Sequence, residues 1–422
     1  MVYRGYASRN LDFSVGDRRN GRRTCLSPGC ANRAGAFVTS RRRPRVLFLV
    51  HDGRGYGHLR RACRLADSIS QIACALVVTG NEAVASLAPA SIDYVKLPNI
   101  GRMNHDIGKR WGMSQFIEID RTELSRFRQT IVRGVTDAFN PDVIVIDHLP
   151  LGKFGEWSYA VLEHPSQKLL VLRPVLGTAD QTRADILAEG GLEALKHYFD
   201  QILVAGDIES STIIDELQAC DILRSKVTYL GYVTPTFSEK ERNVARRLRG
   251  LPSNGKWIVC SGGSGHRAEQ LLSACKDLSG IYQDYFFDIA LGSRMAPSLR
   301  SREGRVRVAS NISQLDLAHA SADLVICHGG YNTLMEALAG SAAVVVLPTS
   351  NRDDEQLRHA AILARSHSVE ICKSISELPE IVRATLKGPR LNQNGRRLSD
   401  GRSRFADIIR SCVATWLIAC ST

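Results

Sequence analysis

Short β-rich apolar runs separated by helix-length intervals recur along this chain in two series, and that alternation constrains its fold more than any other feature. The first series is 46–50, 75–79, 93–97, 143–147, 169–172 and 201–205; the second is 256–260, 284–290, 306–308, 324–327 and 343–347. Parallel strands need long crossover connections, and helices supply them while covering both faces of the sheet. Each series opens on a strand that runs into a glycine-rich loop, after Val50 and after Cys260. At 422 residues the chain exceeds what a single core usually organises. The expected fold is therefore α/β, with two Rossmann-like domains facing a central cleft. The expected boundaries are a basic extension over 1–44, a first domain over 45–235, a second over 236–404, and a terminal segment over 405–422. Helices are expected at about 59–70, 113–139 and 405–419, while the charged, turn-rich stretch 236–255 reads as a linker with an interdomain contact.

Charge is distributed unevenly. Of the net +12, residues 1–45 contribute +9, with eleven Arg against Asp12 and Asp17, leaving +3 for the rest. A basic surface for nucleic acid across the whole protein is therefore not supported. The amino-terminal stretch is compatible with three readings: a disordered or misassigned extension, a contact with an anionic membrane, and a targeting segment. It lacks the apolar core of a secretory signal, and no run of about 18 apolar residues offers a membrane span. The eleven Cys contain no C-x-x-C pair and no His spacing suited to zinc, so they read as reduced cytosolic thiols.

Chemistry concentrates between Asp323 and His359. An apolar strand leads into C-H-G-G-Y-N-T (327–333), a helix expected to begin at Asn332 or Thr333, a second strand, and then P-T-S-N-R-D-D-E-Q (348–356). Gly329 and Gly330 remove side chains where a backbone must approach a ligand closely, and Asn332 and Thr333 are good N-cap residues. Unpaired first-turn amides and the helix dipole make an anion site. Glu336 falls one turn into that helix, placed to accept hydrogen bonds from a ribose, while Asp353, Glu355 and Gln356 top the neighbouring strand and would meet sugar hydroxyls. Two adjacent strand ends thus offer diphosphate, ribose and sugar contacts on one rim.

These residues, H-G-G-Y-N-T-L-M-E-A-L-A-G followed by a strand, a proline and D-D-E-Q, resemble the nucleotide-sugar-binding half of the two-domain GT-B glycosyltransferases. The likeness is greatest to the branch containing the N-acetylglucosaminyltransferase of the lipid-linked peptidoglycan precursor, with a family 28 type carboxy-terminal domain. It runs from about Arg45 to about Ile409 and is strong in the second half only. It implies a transferase that takes a sugar from a nucleoside diphosphate, UDP by resemblance, to an acceptor hydroxyl, with inversion. It also implies a terminal helix that crosses back to the first domain. The family pattern has Asp-Gln or Gln-Gln where this chain has Glu355-Gln356, which leaves the sugar open.

The first glycine loop, H-D-G-R-G-Y-G-H-L-R-R (51–61), resembles the family's amino-terminal loop, with Gly55 and Gly57 on the acceptor side. Its histidine, His58, titrates near neutrality and suits a general base toward an acceptor hydroxyl; the alternative is a cap or loop hydrogen bond. Asp147, at a strand's carboxyl end, and Asp52, beside the loop, are the other candidate bases, and either could orient His58 instead. Helix capping by Asp147 and turn formation by Asp52 are the structural alternatives. The second loop, C-S-G-G-S-G-H-R (260–267), would bring amides of Gly262 and Gly263 and the hydroxyl of Ser264 to the diphosphate. By resemblance Asn311, the backbone of Ile312 and Leu315 contact the nucleobase, the alternative being a plain loop-to-helix junction, and His328 is placed to hydrogen-bond a phosphate. No D-x-D metal pair precedes the site, and the side chains of adjacent Asp353 and Asp354 diverge, so no metal or other cofactor is expected. The expected partners are the nucleotide sugar and an acceptor that is a lipid, polysaccharide or small molecule, with a cytoplasmic location that includes peripheral contact at the inner membrane face. Rival readings are a nucleotide-sugar hydrolase, whose loop G-x-G-H-L-R-R is similar, and a noncatalytic nucleotide-sugar-binding partner.

Overall fold

A computed structural model describes residues 42–52, 55–100, 117, 119–188, 190–262, 266–291, 300–309, 312, 314–340, 342–347, 354–388 and 398–419. Within 43–422 the chain forms one compact unit built on two seven-stranded sheets. The first contains β1 (Arg45–Val50), β2 (Cys74–Thr79), β3 (Asp93–Lys96), β4 (Val143–Asp147), β5 (Gln167–Leu172), β6 (Gln201–Val204) and β7 (Val227–Tyr229), in the order β3-β2-β1-β4-β5-β6-β7 and all parallel. The second contains β8 (Lys256–Ser261), β9 (Tyr285–Ala290), β10 (Arg300–Glu303), β11 (Val306–Ala309), β12 (Leu324–Cys327), β13 (Ala343–Val346) and β14 (Val369–Ile371), in the order β10-β11-β9-β8-β12-β13-β14. Only β10 there runs antiparallel. Strand order reverses beside β1 and beside β8, so the loops after these strands open at the switch points where such sheets bind ligands.

The alternation is doubly apolar because both faces of each sheet are covered. Val46, Phe48 and Val50 of β1 face one core with Leu59 of the first helix, Gly57–Ser68, and with Phe405 and Ile409 of the terminal helix, Gly401–Ala419. Leu47 and Leu49 face the other core with Val132 and Trp157. The first of these cores continues into the second sheet through Val325 and Cys327 of β12 and Leu334 of the helix Tyr331–Ala339. The two sheets therefore share buried apolar surface, which is worth roughly 25 cal/mol per Å² removed from water.

Three local expectations change. The stretch expected as a linker contains the helix Glu239–Leu248, because Ser238 and Glu241 close a reciprocal capping box that contributes about 1 kcal/mol. Arg246 on that helix ties it to the second sheet through the Ser321 carbonyl and Asp323. The helix expected from 113 begins at Arg121, where Asp120 accepts from the Glu123 amide; residues 101–116 and 118 lie outside the described residues. The short strands β7, β10 and β14 were not foreseen, since three- and four-residue edge segments carry little periodicity. Among the described residues no helix is long and apolar enough to cross a membrane. Most of the basic stretch 1–44, with Gly263, Ser264, Asn311 and Asp353, lies outside the described residues.

Candidate active site

The carboxyl end of β4 supplies Asp147, and the loop after β1 supplies His58 as the second residue of the first helix. His58 Nδ1 lies 2.5 Å from Asp147 Oδ2. Arg61, itself buried, donates to the other oxygen of Asp147. Asp147 therefore caps no helix, and Arg61 and His58 hold its carboxyl well below the ordinary carboxylate range despite burial. An ionised acceptor at Nδ1 fixes the imidazole tautomer: Nδ1–H donates to Asp147 and the Nε2 lone pair is left for chemistry. Burial lowers the His58 pKa, against the raising effect of Asp147, and the positive end of the helix acts in the same direction as burial. Both effects favour the neutral imidazole.

Two further imidazoles surround it. The His148 ring is 4.9 Å from His58 and His51 is 5.1 Å from it. Both pKa values are pushed well below 6.5, by burial first and then by His58. His148 adopts φ +71°, an uncommon left-handed conformation for a side-chain-bearing residue.

Asp52 plays a different part. Its oxygens accept from Arg128 Nη1 at 2.8 Å and from the Gly80 amide at 2.6 Å, and Arg128 also pairs with Glu156 at 3.0 Å. All three charged groups are buried, so Asp52 fixes the loop through a compensated network and is not brought to His58.

The second sheet presents the other half of the site. Gly329 has φ +80°, and a Cβ there would fall 2.9 Å from Val346 Cγ1, which explains glycine at this turn. The helix after it begins at Tyr331, with Gly330 as N-cap and no side-chain cap. Asn332 and Thr333 therefore do not cap it. Asn332 reaches across to the first helix instead: its Nδ2 donates to the Gly57 carbonyl at 3.1 Å and its Oδ1 accepts from Arg64 Nη1 at 3.2 Å. A Cβ on Gly57 would lie 3.0 Å from Asn332 Nδ2, a tight approach to the end of that side chain, whereas Gly55 has open space. Tyr331 ties the same junction, donating to the Ala205 carbonyl at 2.8 Å and accepting from the Val233 amide at 3.1 Å.

Glu336 is fully buried, and its carboxylate is already engaged by donors. It accepts from Arg64 Nη2 at 2.5 Å, from His319 Nδ1 at 2.9 Å and from Arg60 Nη1 at 3.1 Å. His319 in turn meets Ser261 at the end of β8, 2.6 Å away. The proton of His328 Nδ1 goes to the Leu347 carbonyl at 2.7 Å, so Nε2 donates to a phosphate only as imidazolium. Glu355 pairs with Arg173 from the end of the first sheet; burial raises its pKa and Arg173 opposes that. Gln356 packs beside Gly329, and its buried Oε1 has no hydrogen-bond partner among the described residues. Gly262 is buried and its amide bonds the Ala290 carbonyl at 3.1 Å, so that amide is not free for a phosphate. The Ile312 side chain packs on Ala290 and Ala309.

The sequence reading gave Arg60, Arg64 and Arg173 no role. The available signal was the i, i+4 spacing of Arg60 and Arg64 in L-R-R-A-C-R, which places both on one helix face.

Two parallel-rich Rossmann-like sheets meeting at these loops define the GT-B fold, and solved glycosyltransferases share it. A glycotransferase of kitacinnamycin superposes with a TM-score of 0.58 over 88% of this chain and 99% of its own, at 15% identity. SnogD from Streptomyces nogalater gives 0.57 over 87% and 99%, at 18% identity. More specifically, residues 259–410 match the glycosyltransferase family 28 C-terminal domain. Over 172 residues the chain is 34% identical to the UDP-N-acetylglucosamine-N-acetylmuramyl-(pentapeptide) pyrophosphoryl-undecaprenol N-acetylglucosamine transferase of Acinetobacter baylyi. That match covers 38% of this chain and 45% of the relative, less than half its length.

Proposed function

We propose that this protein is an inverting glycosyltransferase that moves a sugar from a nucleoside-diphosphate sugar, UDP-linked, to an acceptor hydroxyl. The observation that carries the reading is the His58–Asp147 pair at 2.5 Å on a helix that touches the H-G-G-Y-N-T helix through Gly57 and Asn332. A base held by an orienting carboxylate, beside a segment that matches the glycosyltransferase family 28 C-terminal domain, is the arrangement that direct displacement needs. His58 Nε2 takes the acceptor proton as the hydroxyl attacks the anomeric carbon. Asp147 keeps the ring in its productive tautomer and stabilises the imidazolium that results. The departing diphosphate gains negative charge, which the first amides of the Tyr331 helix would meet with positive dipole already aimed. Helix amides and nearby arginines would supply this field in place of a divalent cation, so the reaction is proposed to run without a metal. The relative's lipid-linked acceptor and the small-molecule glycosylations of the structural neighbours bracket the acceptor class. A cytoplasmic site, with peripheral contact at the inner membrane face, fits the first of these.

An array of donors and acceptors read by mass spectrometry tests the proposal. Transfer to an acceptor with little release of free sugar is expected, and His58→Ala should retain nucleotide binding while losing turnover. Rapid sugar release without acceptor would instead identify a hydrolase, for which water takes the acceptor's place.

A further inference from the structure

Glu336 is engaged by three donors at once. Arg64 Nη2 and His319 Nδ1 approach at 2.5 and 2.9 Å, and Arg60 Nη1 straddles both oxygens at 3.1 and 3.4 Å. The Glu336 side chain has no accessible surface, while Arg60 and Arg64 are 25% and 12% exposed. A carboxylate offers about four lone-pair positions. A ribose diol that donates two hydrogen bonds to Glu336 must therefore displace a guanidinium. A displaced guanidinium needs another anion, because a partly buried cation left unpaired is disfavoured. Asp316 is the other carboxylate near Arg64, at 3.7 Å, but it is 35% exposed and solvated, which makes it a weak competitor.

The position of Arg64 shows where the released charge can go. Its Nη1 already donates to Asn332 Oδ1 at 3.2 Å, at the first turn of the Tyr331 helix. Four residues separate Asn332 from Glu336, about 6 Å along the helix axis, a span that a long Arg side chain covers without backbone movement. Arg60 lies one turn earlier on the same face of the first helix.

We infer that Arg60 and Arg64 are ligands of the donor's diphosphate, supplied by the helix of the opposite sheet, and that they exchange Glu336 for phosphate when the nucleotide arrives. This rests on the proposed function, which places the diphosphate at the start of the Tyr331 helix, and on the sequence-based expectation that Glu336, one turn further along, accepts the ribose. Each side keeps its complement in the exchange. Glu336 gives up guanidinium N–H donors and gains ribose hydroxyls, while the guanidinium forks leave one carboxylate for phosphate oxygens, their better geometric match. The first sheet would then sense the diphosphate and the second the nucleoside, so only an intact nucleotide engages both.

Competition calorimetry with UDP, uridine and inorganic pyrophosphate separates this from a purely structural ion pair. Arg60→Met and Arg64→Met, made singly and checked by circular dichroism, should weaken UDP by at least about tenfold with uridine affinity unchanged. If the arginines only lock Glu336, removing one frees the carboxylate, and UDP should bind as tightly as before or more tightly; that outcome overturns the inference. Glu336→Gln provides a second arm that leaves both arginines in place: pyrophosphate should bind more tightly and uridine more weakly. Unchanged pyrophosphate affinity in that variant also counts against the exchange. Failure of the wild-type protein to bind UDP at all would instead remove the proposed function beneath it.

Discussion

His359 offers the sharpest test of how the core beneath the site is built. It is 4% exposed, its ring stacks on Tyr331 at 5.8 Å with an interplanar angle of 13°, and its Nε2 has no hydrogen-bond partner among the described residues. Burial, assisted by Arg173, lowers its pKa from 6.5 to about 3. Between those two values the unfolded chain binds a proton that the native state refuses. The contribution of His359 to stability is therefore fully present above about pH 6.5 and is lost progressively as pH falls toward about 3. A gap of about 3.5 pKa units corresponds to on the order of 5 kcal/mol, with a slope of about 1.4 kcal/mol per pH unit inside the window. His359→Phe keeps the aromatic stack and removes the proton site. Urea unfolding followed by far-ultraviolet circular dichroism should show the wild type losing about 2–3 kcal/mol more than the variant between about pH 6 and about pH 4. The lowered pKa values of Asp147, Glu336, His51, His58 and His148 also weaken the fold in acid. They are common to both proteins and cancel in the difference. Equal slopes for the two proteins would refute the placement of a neutral, unpartnered imidazole at this position.

Asp147→Asn preserves shape but removes the charge that holds His58 Nδ1–H, so turnover should fall by about 10²–10⁴ at unchanged nucleotide affinity. Because burial depresses the His58 pKa, the acid limb of kcat/KM in the wild type should have its midpoint below 6.5, and a midpoint above that value would assign it to another group. Gly329→Ala forces a Cβ to within 2.9 Å of Val346 Cγ1 at φ +80°. It should cost about 1–3 kcal/mol in thermal unfolding and weaken UDP in calorimetry; wild-type values in both would show that the turn tolerates a side chain.

The sequence by itself determined the alternation of strands and helices, the glycine at 329, and the residue types at the two loops. These are local properties: strand runs buried on both faces are apolar throughout, and a left-handed turn closely packed on a neighbouring strand favours glycine. It also named His58 and Asp147, because the end of a strand and the loop after another are where such sheets place chemistry. What it left open was pairing. Asp52 and Asp147 look alike in the sequence, each a carboxylate at the end of a β-run, yet Arg128 takes one and His58 the other. Asn332 reads as a cap from its neighbours and serves as a bridge to Gly57, because the first helix lies within hydrogen-bonding reach of it. Glu336 reads as a waiting ribose acceptor and is found saturated by Arg60, Arg64 and His319, two of them more than 270 residues away in the chain. Charge partners across such separations follow from how two sheets dock, and a one-dimensional pattern carries no term for that distance.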